Sequence, residues 1–127
     1  SEAVAHRIEA GSDFFLMPSH FEPCGLNQMY SMRYGTLPIV RATGGLHDSV
    51  INHHEHHEVG TGFKLWQLSP ESLYQTVHWA CQIYRQQADI FHRMRQRAMN
   101  IDFSWHKAAS KYEALYQRAV AIRKGFA

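Results

Sequence analysis

Two short runs made up almost entirely of apolar residues constrain the fold of this chain more than any other feature. The runs are FFLM (residues 14–17) and LPIVR (residues 37–41). Runs of this length are typical of strands that are buried on both faces of a parallel sheet. Between them, residues 25–34 carry apolar side chains at helical spacing. The stretch 14–40 therefore predicts a strand, a helix and a second strand, which is a βαβ unit.

The remaining sequence is mostly helical. Residues 1–10 predict the end of a helix that stops at Gly11, and FKLW (63–66) predicts a third short strand. Ser69 and Pro70 form a helix start signal, apolar stripes follow it through residue 98, and Ser104 begins a last helix. The predicted fold class is α/β: a Rossmann-like parallel sheet with flanking helices, in one domain or part of one.

Composition excludes several classes of function. The chain has 127 residues, with 13 basic and 11 acidic side chains and a net charge of +2. The basic residues are scattered and match no nucleic-acid-binding motif, so we expect no nucleic-acid partner. No apolar run approaches membrane-spanning length, so we expect no membrane partner. Two distant cysteines, Cys24 and Cys81, favour a reducing cytosolic setting over a disulfide scaffold.

The segment FEPCGLNQ (21–28) follows the first predicted strand. If Gly25 opens a helix, the N–H groups of residues 25–27 face outward and attract an anion such as a diphosphate, with Asn27 as an added donor. Glu22 would then face neutral sugar hydroxyls, because a carboxylate accepts two strong hydrogen bonds from a diol. A nucleotide sugar supplies both groups. A plain helix start with Glu22 on the surface remains an equal alternative.

The segment TGGL (43–46) follows the second predicted strand. Its glycines, Gly44 and Gly45, predict a loop whose amides face a ligand, or one that only turns the chain. Both glycine loops should lie at the carboxyl edge of the sheet, where open parallel sheets bind ligands. The chain has no G-x-G-x-x-G or P-loop sequence, which disfavours the common dinucleotide and nucleoside-triphosphate sites.

Residues 18–50, with GTGFKL (60–65) and DFSWHKAASKYEALYQ (102–117), resemble the nucleotide-sugar-binding domain of bacterial glycogen synthases and plant starch synthases. These are retaining glucosyltransferases of the GT-B fold. The resemblance implies transfer of glucose from ADP-glucose, or UDP-glucose, to the non-reducing end of an α-1,4-glucan. The donor is a substrate, and the resemblance implies no cofactor and no metal.

The resemblance also assigns the site residues. Glu22 is the candidate catalytic residue and would contact the donor glucose. The candidate donor-binding residues are Cys24, Gly25, Leu26, Asn27, Gln28, Thr43, Gly44, Gly45, Thr61 and Gly62. Tyr30 stands where many GT-B enzymes carry a second Glu for the ribose, a departure shared by the glycogen and starch synthase branch. Recognition of the ribose is left unassigned.

The resemblance further predicts that residues 1–127 are part of a C-terminal donor-binding domain. The acceptor domain and an upstream Arg/Lys pair that stabilises the leaving diphosphate would be absent, so we expect the fragment alone to be inactive. Arg33 and Arg41 are poor substitutes for that pair. The last helix would expose an apolar face that favours self-association. A bacterial protein of this family would be cytoplasmic, and a plant one plastidic.

Three other features carry weaker hypotheses. HHEHHE (53–58) spaces His53 from His57, and His54 from Glu58, as a helical metal site would, but we favour a solvated loop. Trp66, Trp79 and Trp105 could stack on sugars, but we favour core positions. The rival functions are a GT-B transferase with another donor or acceptor, a non-catalytic nucleotide- or glucan-binding module, and a metal-binding loop on an α/β scaffold.

Overall fold

Three parallel strands form the sheet of this chain. The computed structural model describes residues 1–54 and 58–125. The strands lie side by side in chain order: β1 (Phe14–Met17), β2 (Leu37–Arg41) and β3 (Phe63–Leu65). Phe14 aligns with Leu37, and Ile39 aligns with Phe63. The predicted parallel α/β fold is confirmed, as are the predicted bounds of the first two strands.

Helices surround the sheet. Within the described ranges they are α1 (Glu2–Ala10), α2 (Asn27–Tyr34), α3 (Gly44–Ser49), α4 (Pro70–Gln86), α5 (Ala88–Met99) and α6 (Trp105–Arg123). Four of them, α2 to α5, contact the central strand β2, while α1 packs on α2. None of these helices, within residues 1–54 and 58–125, combines the length and the apolar character needed to cross a membrane.

The core is built around β2. Ile39 and Val40 point to opposite faces of the sheet, and both are buried. Helices therefore cover both faces, as in other parallel sheets. Met32 of α2, Phe63 of β3 and Met94 of α5 complete the centre of the core.

The sequence-based predictions fail at three places. Leu16 of β1 is 48% exposed, because β1 lies at the edge of this sheet rather than in its middle. Helix α2 begins at Asn27, two residues after the predicted start, with Leu26 as its N-cap. The predicted loop after β2 contains the short helix α3, which buries Leu46 in the core.

Helix α6 differs from the other long helices. Its apolar residues Tyr112 and Leu115 are both exposed. No residue of Trp105–Arg123 is buried. The amphipathic pattern of α6 therefore has no covering surface within the described residues.

Candidate functional site

The candidate site lies where two loops leave the carboxyl ends of β1 and β2. Residues 18–26 follow β1, and residues 42–43 lead from β2 into α3. Because β1 and β2 are neighbouring parallel strands, both loops rise from the same edge of the sheet. This is the edge at which open α/β sheets bind ligands.

The two loops are joined directly through their backbones. The N–H of Gly45 donates to the carbonyl oxygens of Glu22 and Pro23, at 3.1 Å each. A β-carbon on Gly44 would overlap the carbonyl of Glu22, and one on Gly45 would overlap the carbonyl of Cys24. The glycine pair is therefore required for the close approach of the loops, a reason that neither interpretation of TGGL had included.

The first turn of α2 faces outward from this junction. Its leading N–H groups, on Asn27 and Gln28, donate to no acceptor in the parts of the chain that the structure describes. The helix has no side-chain cap and no acidic residue in its first turn. Unpaired amides and the positive end of the helix dipole make this terminus suited to an anion.

The side chain of Gln28 stabilises the junction of the two loops. Its side chain is fully buried, at 0% exposure. Its Nε2 donates to the carbonyls of Cys24 and Gly25 and to Ser49 Oγ, at 3.0–3.1 Å. Ser49 Oγ in turn donates to the carbonyl of Gly45 at 2.6 Å. One amide thus links the loop after β1 to the helix after β2.

Glu22 and Cys24 place a carboxylate and a thiol at the junction. Glu22 is half-buried, and its carboxylate makes no hydrogen bond or ion pair with any residue that the structure describes. Cys24 is an exposed free thiol, and Cys81 is also free. The carboxylate of Glu22 is therefore available to hydroxyl donors, while the backbone of the same residue is fixed by Gly45.

The two arginines near the site donate hydrogen bonds to backbone carbonyls. Arg41, at the end of β2, donates to the carbonyls of Ser19 and His20, which pins the loop after β1. Arg33, in the last turn of α2, donates from Nη1 to the carbonyl of Met99 at 2.9 Å. These contacts hold the loop after β1 to β2, and helix α2 to the end of α5.

The structure brings most of the predicted donor-binding residues together and leaves two apart. Thr43 is the N-cap of α3 and lies beside Gly44 at the junction. Thr61 and Gly62 instead precede β3, at the amino edge of the sheet, about 10 Å along the strands from the loops. Thr61 is 2% exposed, and its Oγ1 accepts from the N–H of Ile51. Their burial at the opposite edge separates them from the candidate site, which sequence similarity alone could not show.

Of the described residues in the histidine segment, His53 is buried, whereas His54 and Glu58 are exposed. His53 is 3% exposed and packs against Trp79 with ring centroids 6.0 Å apart. His57 falls outside the described residues, so the predicted His53–His57 pair has no geometry here. In residues 1–54 and 58–125, no cluster of three His, Cys, Asp or Glu side chains could hold a metal ion.

Two features of the edge escaped sequence reasoning. The link from Gln28 to Ser49 spans 21 residues and joins two polar side chains that carry no motif. Trp66, which was assigned to the core, is exposed directly after β3. A polar residue on the inner face of α2 was the available signal for the first feature. No pattern in the sequence signalled the second.

The sequence of this chain is similar to part of several known proteins. The chain is 57% identical over 122 residues to glycogen synthase 1 of Geobacter metallireducens, covering 96% of this chain and 24% of that protein. It is 56% identical over 120 residues to the glycogen synthase of Treponema denticola, covering 94% and 24%. The chain spans about a quarter of the length of these relatives. No family model matches the sequence.

The fold is also found in a solved structure. The catalytic domain of starch synthase IV from Arabidopsis thaliana, bound to ADP and acarbose, superposes with a TM-score of 0.85. It is 40% identical in sequence and covers 95% of this chain and 25% of that one.

Proposed function

The chain is homologous to a segment of the bacterial glycogen synthases and plant starch synthases, and from this premise we propose that it forms the donor side of a glucosyltransferase site. The reaction would move glucose from ADP-glucose, or UDP-glucose, to the non-reducing end of an α-1,4-glucan, with retention. The observation that carries the proposal is the junction of Gly45 with Glu22 and Pro23, which holds a free carboxylate beside an uncapped helix N-terminus.

The first turn of α2 would bind the diphosphate of the donor. The amides of Asn27 and Gln28 point out of the helix, and each favourable charge at such a terminus contributes about 0.3–1 kcal/mol. The same donors would stabilise the negative charge that develops on the departing diphosphate as the glycosidic bond breaks. Asn27 is exposed, so its side chain can add a further donor.

Glu22 would bind the glucose ring of the donor. Its carboxylate is unpaired among the described residues, and a carboxylate accepts two strong hydrogen bonds from neighbouring hydroxyls. Glu22 is therefore the residue that we assign a catalytic role. The backbone at Cys24, Gly25 and Leu26 would line the path from sugar to diphosphate, while Gln28 acts by holding that backbone in place.

The nucleotide would extend along Thr43 and Gly44, at the start of α3. The residues that hold the acceptor glucan at the reaction centre, and any further groups that the transfer requires, would lie outside these 127 residues. The donor is a substrate, so the proposal includes no cofactor and no metal. The protein would act in the bacterial cytoplasm, or in the plastid of a plant.

Helix α6 would mediate contacts with another surface. Among its exposed apolar side chains are Tyr112, Leu115, Tyr116, Val120 and Ile122. An uncovered stripe of this kind favours self-association when the chain is isolated. Sedimentation velocity at increasing protein concentration tests this, with Leu115→Ser expected to keep the chain monomeric.

Calorimetric titration of ADP and then ADP-glucose into the wild-type chain tests the donor site. Glu22→Gln is compared with Glu113→Gln, a surface variant on α6. We expect ADP to bind all three proteins alike and Glu22→Gln to lose the added preference for ADP-glucose. UDP and UDP-glucose, titrated in the same way, identify the base. If the folded wild-type chain binds neither nucleotide, or if Glu22→Gln keeps the sugar preference, the proposal is wrong.

A further inference from the structure

A second cleft opens beside the edge strand β3, apart from the donor loops. Its volume is about 940 Å³, and it lies between the residues that follow β3 and the first half of α4. None of the residues proposed to bind the donor lines it. Its volume is at the upper end of the range for small-molecule sites, about 300–1,000 Å³.

The cleft has an exposed indole at one end. Trp66 directly follows β3 and is 53% exposed. Its ring meets the ring of His47 edge to face, with centroids 5.4 Å apart. Lys64 Nζ donates to the carbonyl of His47 at 2.7 Å, which ties His47 to the strand. These contacts hold the indole on the surface and leave part of its apolar face open to solvent.

Neutral polar side chains make up much of the remaining lining of the cleft. Amide and hydroxyl side chains from the loop and from α4 line the cleft, including Gln67, Ser72 and Gln75. Gln75 Nε2 donates to Glu71 Oε1 at 2.6 Å, which orients both side chains toward one another. A second indole, that of Trp79, contributes to the far end.

An anionic ligand does not fit the α4 side of the cleft. Ser69 Oγ already accepts from the N–H of Ser72, so the start of α4 is capped. Glu71 adds a negative charge to the same turn. The cleft instead combines a flat apolar surface with amide and hydroxyl groups, and its lining carries charges of both signs, on Lys64 and on Glu71. A sugar ring presents the complementary surface, because its C–H face is apolar and its rim carries hydroxyls.

We propose that this cleft is a separate carbohydrate site that binds an α-1,4-glucan chain, with Trp66 as the stacking surface and Gln67 and Gln75 as hydroxyl partners. The choice of glucan rests on the proposed function, since a polymer-extending enzyme must keep its product within reach. The cleft and the donor loops both adjoin the carboxyl ends of strands, and α3 connects them. Gly44 of α3 lies at the donor junction, while His47 contacts Trp66.

Titration of maltoheptaose into the ¹⁵N-labelled chain, followed by NMR, tests this site. We expect saturable shifts of the indole N–H of Trp66 and of the side-chain amide of Gln75. Trp66→Ala should weaken binding at least tenfold, whereas Trp66→Phe should stay within about threefold because it keeps an aromatic face. Trp105→Ala removes an exposed indole on α6 and is the matched control, expected to bind as the wild type does.

Parallel titration with ADP separates this inference from the proposed function. Binding of maltoheptaose that depends on Trp66 supports the cleft, even if ADP fails to bind and the donor proposal falls. If ADP binds but maltoheptaose does not, the carbohydrate site is wrong and the donor site stands. Equal maltoheptaose affinity in Trp66→Ala and Trp105→Ala would also overturn the inference.

Discussion

The loops after β1 and β2 differ from the loop after β3 in what shapes them. At the first two strands, backbone meets backbone: the N–H of Gly45 reaches two carbonyls, and a β-carbon would not fit between the loops. At β3, side chains define an open cleft around Trp66. A junction of two backbones positions a bound ligand closely but has no room for an added side-chain atom. A cleft lined by side chains can change its residues at little cost to the stability of the fold.

This contrast predicts different sensitivities to substitution. Changes that disturb the backbone contacts of the junction should destabilise the chain and reduce ADP binding together. Changes to Trp66, Gln67 and Gln75 in the cleft should alter glucan binding and leave unfolding and ADP binding nearly unchanged, whereas Ser69 also caps α4. The following variants test the difference, from the largest expected effect to the smallest.

Gly45→Ala should have the largest effect. The added methyl overlaps the carbonyl of Cys24, which is backbone and cannot swing aside, so the two loops must separate. We expect a loss of about 3 kcal/mol or more in the free energy of unfolding. Urea denaturation measures it, with Gly11→Ala as the control, because the nearest contact of that β-carbon, at 3.1 Å, is in the exposed end of α1. Equal losses in the two variants would contradict the junction.

Gln28→Met should have the next largest effect. The substitution keeps the volume of the side chain but removes a donor to Cys24, Gly25 and Ser49, which leaves partly buried acceptors without that partner. We expect about 1–3 kcal/mol of destabilisation and weaker ADP binding. Gln117→Met, on the exposed face of α6, is the control, expected to be near neutral. An unchanged ADP affinity in a destabilised Gln28→Met would show that the link does not position the site.

Ser69→Ala tests the wall of the cleft. Ser69 Oγ accepts from the N–H of Ser72 and caps α4, so its loss should cost about 1 kcal/mol. Ser104 is also an N-cap residue but makes no capping hydrogen bond with its side chain, so Ser104→Ala should cost less. Thermal unfolding of the two variants compares them directly. A larger loss in Ser104→Ala would mean that the cap of α4 is misassigned.

The smallest effect is a pH dependence at Asp102, which belongs to neither region. Hydrogen bonds from Ser104 lower the pKa of the Asp102 carboxyl below its ordinary value. A carboxyl with a lowered folded-state pKa adds stability above its unfolded pKa and loses it as the pH falls through the folded one. Unfolding of wild type and Asp102→Asn, compared from about pH 6 to about pH 2, should show a difference that shrinks with acidity. A stability difference between the two proteins that grows as the pH falls would contradict a lowered pKa for Asp102.

The sequence predicted the sheet well because short apolar runs depend on local composition. FFLM and LPIVR could be located without knowing their neighbours. The exposure of Leu16 could not, since it depends on which strand lies at the edge of the sheet. Helix α3 was missed because Gly44 and Gly45 disfavour helix, and the contacts with Glu22 and Cys24 override that preference.

The sequence located the two loops of the candidate site but did not predict the contacts that join them. The segment containing Glu22, Cys24 and Gly25 was located from its residue types. The dependence of that segment on Gln28 and Ser49 arises from contacts between distant parts of the chain. Thr61 and Gly62 were grouped with it by resemblance, whereas the register of β3 puts them at the other edge. The place of a residue within a sequence motif therefore does not determine at which edge of the sheet it lies.

The most direct test of the account is an ¹⁵N NMR titration of the chain with ADP. The account predicts that the largest shifts of backbone amides fall on Asn27, Gln28 and Gly44, at the junction of the two loops. Thr61, Gly62 and Trp66 should shift little, because they lie at the other edge or in the separate cleft. Dominant shifts at Thr61 and Gly62, or at Trp66, would place the nucleotide elsewhere and contradict the donor site described here.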